Sequence, residues 1–221
     1  DAFGGYVGYL TGAVAERREV PTDDLLSILV HAEVDGQRLS DDDILHESLL
    51  ILIGGDETSR HVMSGGVYQL LKDREQWERL RADRSLLPSA VEEMLRWVTP
   101  IRNMARVVTQ DLTYQGKEMK EGQKLVLLYP SANRDEDVFD DPFRFDIART
   151  PNEHLAFGVG PHFCLGNALA RAEVRTMVDR LLERLPDLEL VNPEEPVWRP
   201  ANFVSGYERM PVRFTPTAPV G

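Results

Sequence analysis

From Ser40 to Lys72 nothing in the sequence stops a helix. Proline is absent, Ser40 stands where a capping hydroxyl belongs, and Asp41, Asp42 and Asp43 put negative charge in the first turn, where it complements the helix dipole. At 1.5 Å per residue such a helix runs on the order of 45 Å, long enough to cross a domain. It is apolar on most sides near its middle, which predicts a buried central strut. A chain organised around such a strut is mainly α.

The other segments agree. Residues 6–18 read as a helix ended by Pro21, and 23–33 as a short one with Leu25, Leu26, Ile28 and Leu29 on its apolar side. Asp35-Gly36 makes a turn. Pro88 opens a helix over 89–99 that Pro100 closes. Short β-type runs follow at 105–108, 112–114 and 124–129, with Gly116 and Gly122 between them, and suggest a hairpin. Residues 130–161 are loop-rich, 167–185 read as a helix, and the proline-rich tail carries a hairpin around Phe203-Val204-Ser205-Gly206. The expectation is a mainly α fold with a small β portion, residues 1–221 forming one domain. Apolar periodicity begins at once after Asp1, the look of a chain entered partway through a helix.

Charge and cysteine usage exclude some functions. The formal net charge of −12 comes from 25 basic and 37 acidic residues, which argues against duplex nucleic acid as a partner. A single cysteine permits no intramolecular disulfide and fits a reducing compartment. No run approaches the roughly 20 apolar residues that span a bilayer. A soluble, cytoplasmic protein without a transmembrane segment is expected.

Two places carry chemistry. Gly54-Gly55-Asp56-Glu57-Thr58-Ser59 lies mid-helix, and two glycines there cost about 1 kcal/mol each relative to alanine. They make room either for a second helix or for a flat ligand. Thr58 can turn its hydroxyl to a carbonyl one turn back and open the helix locally. Glu57 beside it would complete an acid–alcohol pair. The second place is Phe157-Gly158-Val159-Gly160-Pro161-His162-Phe163-Cys164-Leu165-Gly166. Glycines 158 and 160 allow positive φ and close approach, and the helix that follows aims its amide end at the sulfur. The thiol is either a small buried hydrophobe or a thiolate ligand to metal.

The cysteine decapeptide resembles the haem-binding loop of the cytochrome P-450 (haem-thiolate monooxygenase) family, with His162 at a position more often Arg. Gly54 to Ser59 resembles that family's distal-helix motif. Glu93-Met94-Leu95-Arg96 and Pro142-Phe143-Arg144-Phe145 match its Glu-x-x-Arg and Pro-x-Arg-Phe elements. The resemblance runs along essentially the whole chain and implies the C-terminal half of the P-450 fold. It implies haem b (iron protoporphyrin IX) ligated through Cys164 and lined by Phe157, Gly158, Gly166, Gly54 and Gly55. Arg106 and His162 would contact the propionates, and Glu57 and Thr58 would deliver protons. Glu93, Arg96 and Arg144 would form a structural triad.

The implied reaction is hydroxylation of an unactivated C–H bond with dioxygen, thiolate donation favouring O–O cleavage. Electrons would come from a ferredoxin and its NAD(P)H-dependent reductase. Arg171, Arg175, Arg180 and Arg184 form a basic strip that either docks such a partner or is a solvated face. The chain is similar to actinobacterial members that oxidise the terminal side-chain methyl of cholesterol or cholest-4-en-3-one. Leu50, Ile53, Gly54, Phe203 and Val204 are expected to meet the substrate; being mostly apolar, they suit a fatty acid or terpenoid equally. A peroxygenase or a non-catalytic haem-thiolate sensor are the other readings, and an acid–alcohol pair disfavours both.

Overall fold

The computed structural model describes residues 1–193 and 197–218. The chain packs as two compact units, residues 1–56 and 57–221. In the first, helix α1 (Ala2–Glu19) and helix α2 (Leu25–His31) join the opening turns of helix α3 (Asp41–Lys72). Their core is Leu10, Val14, Val30 and Ile44. Helix α2 is shorter than the sequence suggests. Asp24 caps it by accepting from Ser27 N, and Glu33 already belongs to strand β1 (Glu33–Val34), paired with β2 (Gln37–Arg38). Ser27 and Val30 face inward, whereas Leu25 and Ile28 are exposed. The expected apolar side is therefore rotated, because a seven-residue helix follows its cap and contacts more than its composition. Asp35 and Gly36, both at positive φ, make the turn between the strands.

Helix α3 begins as its sequence dictates. Ser40 Oγ accepts from Asp43 N, while Ser40 N and Oγ both donate to Asp43 Oδ2, a reciprocal cap that satisfies otherwise orphaned donors. All 32 residues are helical. The expected burial of its middle is not found: Leu50, Leu52 and Ile53 are exposed, and the buried positions are Ile44 in the opening turns and those in the turns from Ser59 onward.

The second unit is built on the last turns of α3 with α4 (Arg74–Ala82), α5 (Leu87–Val98) and α7 (Asn167–Arg184). Their apolar stripes meet in one core, including Val67, Leu70, Trp77, Leu80, Met94, Leu95, Val174, Val178 and Leu182. Side chains of this size contribute roughly 1.5–3 kcal/mol each when buried. The crossing of α3 and α5 is close because of Gly65 and Gly66. A Cβ on Gly66 would meet Met94 Cγ at 2.5 Å, and one on Gly65 would meet Val98 Cγ2 at 2.7 Å. Helix α4, which the sequence reading passed over, is capped by Asp73.

The β portion is nested. Strand β3 (Asn103–Val107) pairs antiparallel with β6 (Lys124–Leu128), and between them β4 (Leu112–Tyr114) and β5 (Lys117–Met119) form their own hairpin through Gln115 and Gly116, both at positive φ. A short helix α6 (Tyr129–Ala132) leads into the loop-rich stretch. Near the C-terminus β7 (Glu189–Leu190) pairs with β10 (Val212–Arg213), and β8 (Val197–Trp198) with β9 (Tyr207–Arg209). Residues 199–206 thus form the hairpin loop expected there. Its tip is tied down by Arg102 N donating to Phe203 O (2.8 Å) and Ser205 N donating to Pro100 O (3.0 Å).

Candidate active site

Cys164 lies in the second unit, unpaired and half-buried. Gly158 (φ 69°) and Gly160 (φ 73°) sit in the left-handed region, as the turn requires. Phe157 O accepts from Cys164 N at 3.0 Å. On the other side Asn167 Nδ2 donates to Cys164 O at 2.8 Å. Gly166 stands at the N-cap of α7. Phe163 and Leu165, which flank the cysteine, and Leu169 in the first turn of α7, are large apolar side chains left exposed.

This donor set fits one kind of metal carrier. Among the described residues no three His, Cys, Asp or Glu cluster as metal ligands. A single thiolate fits a metal whose other ligands come from a macrocycle, and the flat apolar body of such a group would suit exposed Phe163, Leu165 and Leu169. His162, in a 3₁₀ turn over Gly160–His162, and Arg106 on β3 are both exposed cations or imidazoles in the second unit. Arg106 Nη1 donates only to Ala105 O among the described residues (3.0 Å). Phe157 is packed between rings and a guanidinium, with His154 at 6.0 Å, Phe163 at 6.1 Å and Arg171 at 4.6 Å.

The loop is held from below by a buried ion network. Glu93 and Arg96, neither with any exposed side-chain surface, form a two-pronged pair at 2.7 Å for both bonds. Arg96 also donates to the carbonyls of Asn133, Pro142 and Arg144. Asn133 donates to Thr99 Oγ1 and accepts from Leu155 N, at the foot of the cysteine loop. The expected third member is corrected. Arg144 contributes its carbonyl and leaves its side chain exposed, whereas Arg149 Nε lies 3.2 Å from Glu93 Oε2. Phe145 and Ile147 are buried, and the turn closed by Arg149 N donating to Asp146 O (3.0 Å) brings residue 149 back toward Glu93. The second arginine five residues on was the available signal.

On α3, Glu57 is half-buried and its carboxylate pairs with Arg199 at 2.5 Å and Arg60 at 3.2 Å. The Arg199 hydrogen bond holds the carboxyl below its ordinary range. Arg199 lies 142 residues away in sequence and no local pattern announces it. Thr58 follows, half-buried. Gly54 and Gly55 belong to the first unit, and a Cβ on either would meet nothing within 4 Å. Leu50 and Ile53 there are exposed; in the second unit Phe203 is exposed and Val204 bridges to Ile101. His61 is buried against the hairpin: a Cβ on Gly206 would come 2.1 Å from its Nδ1. Burial lowers its pKa, with Glu57 partly opposing.

The basic strip on α7 is also corrected. Arg171 donates through Nε to Glu92 Oε1 (2.7 Å) and through Nη2 to Glu92 Oε2 (2.9 Å). It shares the α7 face of buried Val174 and Val178, so α5 claims it. Arg180 pairs with Glu183, and Arg184 reaches Thr217 and Ala218. Arg175 is exposed. No helix among the described residues is long and apolar enough to cross a membrane.

Comparison with known proteins identifies the family. The family model described as Cytochrome P450 matches residues 12–203. The chain is 57% identical to a steroid C26-monooxygenase of Mycolicibacterium smegmatis over 220 residues, covering all of this chain and 55% of that protein. It is 44% identical to a methyl-branched lipid omega-hydroxylase of Mycobacterium bovis, covering 94% of this chain and 48% of the other. The chain therefore spans about half the length of these curated relatives. Among solved structures, CYP109E1 from Bacillus megaterium in complex with testosterone superimposes with a TM-score of 0.91 at 38% identity, covering 96% of this chain and 59% of that one.

Proposed function

The chain belongs to the cytochrome P450 family, and on that premise we propose that it serves a haem-thiolate monooxygenase hydroxylating the terminal side-chain methyl of a sterol. The observation that carries this reading is Cys164: unpaired, half-buried, held at both its N–H and its C=O, and bordered by uncovered apolar side chains. Haem b, when bound, supplies the oxidation of an unactivated C–H bond with dioxygen. The chain's own residues bind, orient and move protons. Cys164 provides the ligand, and Phe157, Gly158 and Gly166 leave space for the flat group. Arg106 and His162 neutralise its carboxylates. Glu57 takes protons from solvent and passes them through Thr58, with Arg199 and Arg60 fixing the carboxylate.

The 57% identity to a steroid C26-monooxygenase supports the sterol, and Phe203 and Val204 supply apolar contact. A lipid with a branched methyl end is the second reading, favoured by the 44% identity to an omega-hydroxylase. The match across residues 12–203 spans both units, which supports a single haem-binding domain. Electrons come from a ferredoxin and its NAD(P)H-dependent reductase, with exposed Arg175 as a contact. A cytoplasmic location suits the unpaired thiol.

The test uses the full-length protein. Its ferrous carbonyl complex should show the red-shifted Soret band given by a thiolate ligand, and Cys164→Ser should abolish it. Cholest-4-en-3-one should then convert the resting iron from low to high spin and yield a terminally hydroxylated product. A band that survives Cys164→Ser refutes the ligand. Spin conversion by methyl-branched fatty acids alone moves the substrate to the second reading.

A further inference from the structure

The Arg171 guanidinium touches nothing that reacts, yet its contacts converge on Cys164 from both directions. Its Cζ lies over the Phe157 ring, 4.6 Å from the centroid, and Phe157 O accepts the Cys164 N–H at 3.0 Å. Its Nη1 donates to Asn167 Oδ1 at 3.0 Å, which turns the Asn167 amide so that Nδ2 donates to Cys164 O at 2.8 Å. The guanidinium itself is anchored by both oxygens of Glu92 on α5. Glu92 is fixed in turn by His154, whose Nε2 donates to Oε2 at 3.0 Å while Nδ1 accepts from Ala156 N at 3.2 Å. An imidazole accepting at Nδ1 from a backbone N–H carries its proton on Nε2, so the direction of the chain is determined. His154 precedes the cysteine loop and Arg171 follows it. One carboxylate therefore clamps both ends.

We propose that Arg171 is a positioning residue for Cys164, holding the cysteine's N–H through Phe157 and its C=O through Asn167, and placing a cation behind the sulfur. This rests on Cys164 being the iron ligand. Two consequences follow from geometry and charge. The planar fork satisfies Glu92, Asn167 and the Phe157 ring together, which an ammonium cannot do. The Arg171 cation also favours the more negative, reduced state of a thiolate-ligated iron, and the Glu92 carboxylate opposes it.

The experiment is carried out on the full-length, haem-loaded protein with Arg171→Gln, Arg171→Lys and Glu92→Gln, reading the ferric/ferrous midpoint potential and the carbonyl spectrum. Arg171→Gln should shift the equilibrium toward ferric by about tenfold, the order for removal of one unit charge at an effective dielectric near 20. It should also divert part of the carbonyl complex from the thiolate-type band. Glu92→Gln should shift the equilibrium the opposite way. Arg171→Lys should keep the potential near wild type yet still lose part of the thiolate-type band. A role in packing alone predicts no opposition of sign; shifts in one direction, or none, overturn the proposal. Should Arg171→Gln fail to fold, an unmoved potential in Glu92→Gln refutes it unaided. A wild-type protein with no thiolate-type band overturns the ligand reading and this inference together.

Discussion

Replacing Arg149 by alanine should destabilise the protein, and the same change at Arg144 should not. The Arg149 side chain is only 10% exposed and faces the Glu93 carboxylate, which has no exposed surface. Removing it leaves Glu93 with Arg96, the Asp146 N–H and the Asn152 amide. A hydrogen bond to a buried charge is worth roughly 1.5–3 kcal/mol. Arg149 also donates to the carbonyls of Asp140, Asp141 and Arg144, but those contacts are exposed and water replaces them. The expected loss is therefore about 2–3 kcal/mol. Arg144 offers the network only its carbonyl, which alanine retains, so Arg144→Ala should stay within about 0.5 kcal/mol, as surface changes do. Urea unfolding followed by tryptophan fluorescence is a suitable assay, because Trp77 is buried and Trp97 packs on Phe145. With a slope of about 2–3 kcal/mol per molar, Arg149→Ala should lower the midpoint by roughly 1 M. A double-mutant cycle with Glu93→Gln should recover much of that loss as coupling. Equal or larger damage from Arg144→Ala would refute the assignment.

Gly66→Ala should lower the melting temperature, since the new Cβ would meet Met94 Cβ at 2.9 Å as well as the movable Cγ and Sδ, at a cost of about 1–3 kcal/mol. Gly12→Ala, at an exposed position of α1, meets open space and should be neutral or gain up to about 1 kcal/mol in helix propensity; equal effects in thermal unfolding would contradict this contrast. Burial alone would raise the Glu92 carboxyl, but hydrogen bonds from His154 and Arg171 outweigh it and bring it down to about 2. A depressed folded-state pKa contributes stability that is complete above the unfolded value and is lost as pH falls toward 2. Glu92→Gln should accordingly flatten the acid limb of stability between about pH 4.5 and 2, seen as a shrinking gap from wild type. Because Arg199 holds the Glu57 carboxyl low, Arg199→Ala should move the acid limb of the turnover–pH profile upward; an unmoved limb would argue that Glu57 does not carry the protons.

What could be read from the chain was whatever is local. Ser40 and the three aspartates after it announced a helix start, and the absence of proline up to Lys72 announced its length. Asp35-Gly36 announced a turn, and glycines 158 and 160 announced the positive φ angles that shape the cysteine loop. These depend on dihedral preferences and capping within a few residues. They act before any distant part of the chain is in place.

Partner choice across long separations was decided only by folding. Arg149 rather than Arg144 reaches Glu93, Arg171 turns to Glu92 instead of solvent, and Arg199 finds Glu57. In each case the residue type was visible but the neighbour was not. Whether a guanidinium ends in water or on a carboxylate depends on which helix face is pressed against which, a property of packing with no trace in local sequence.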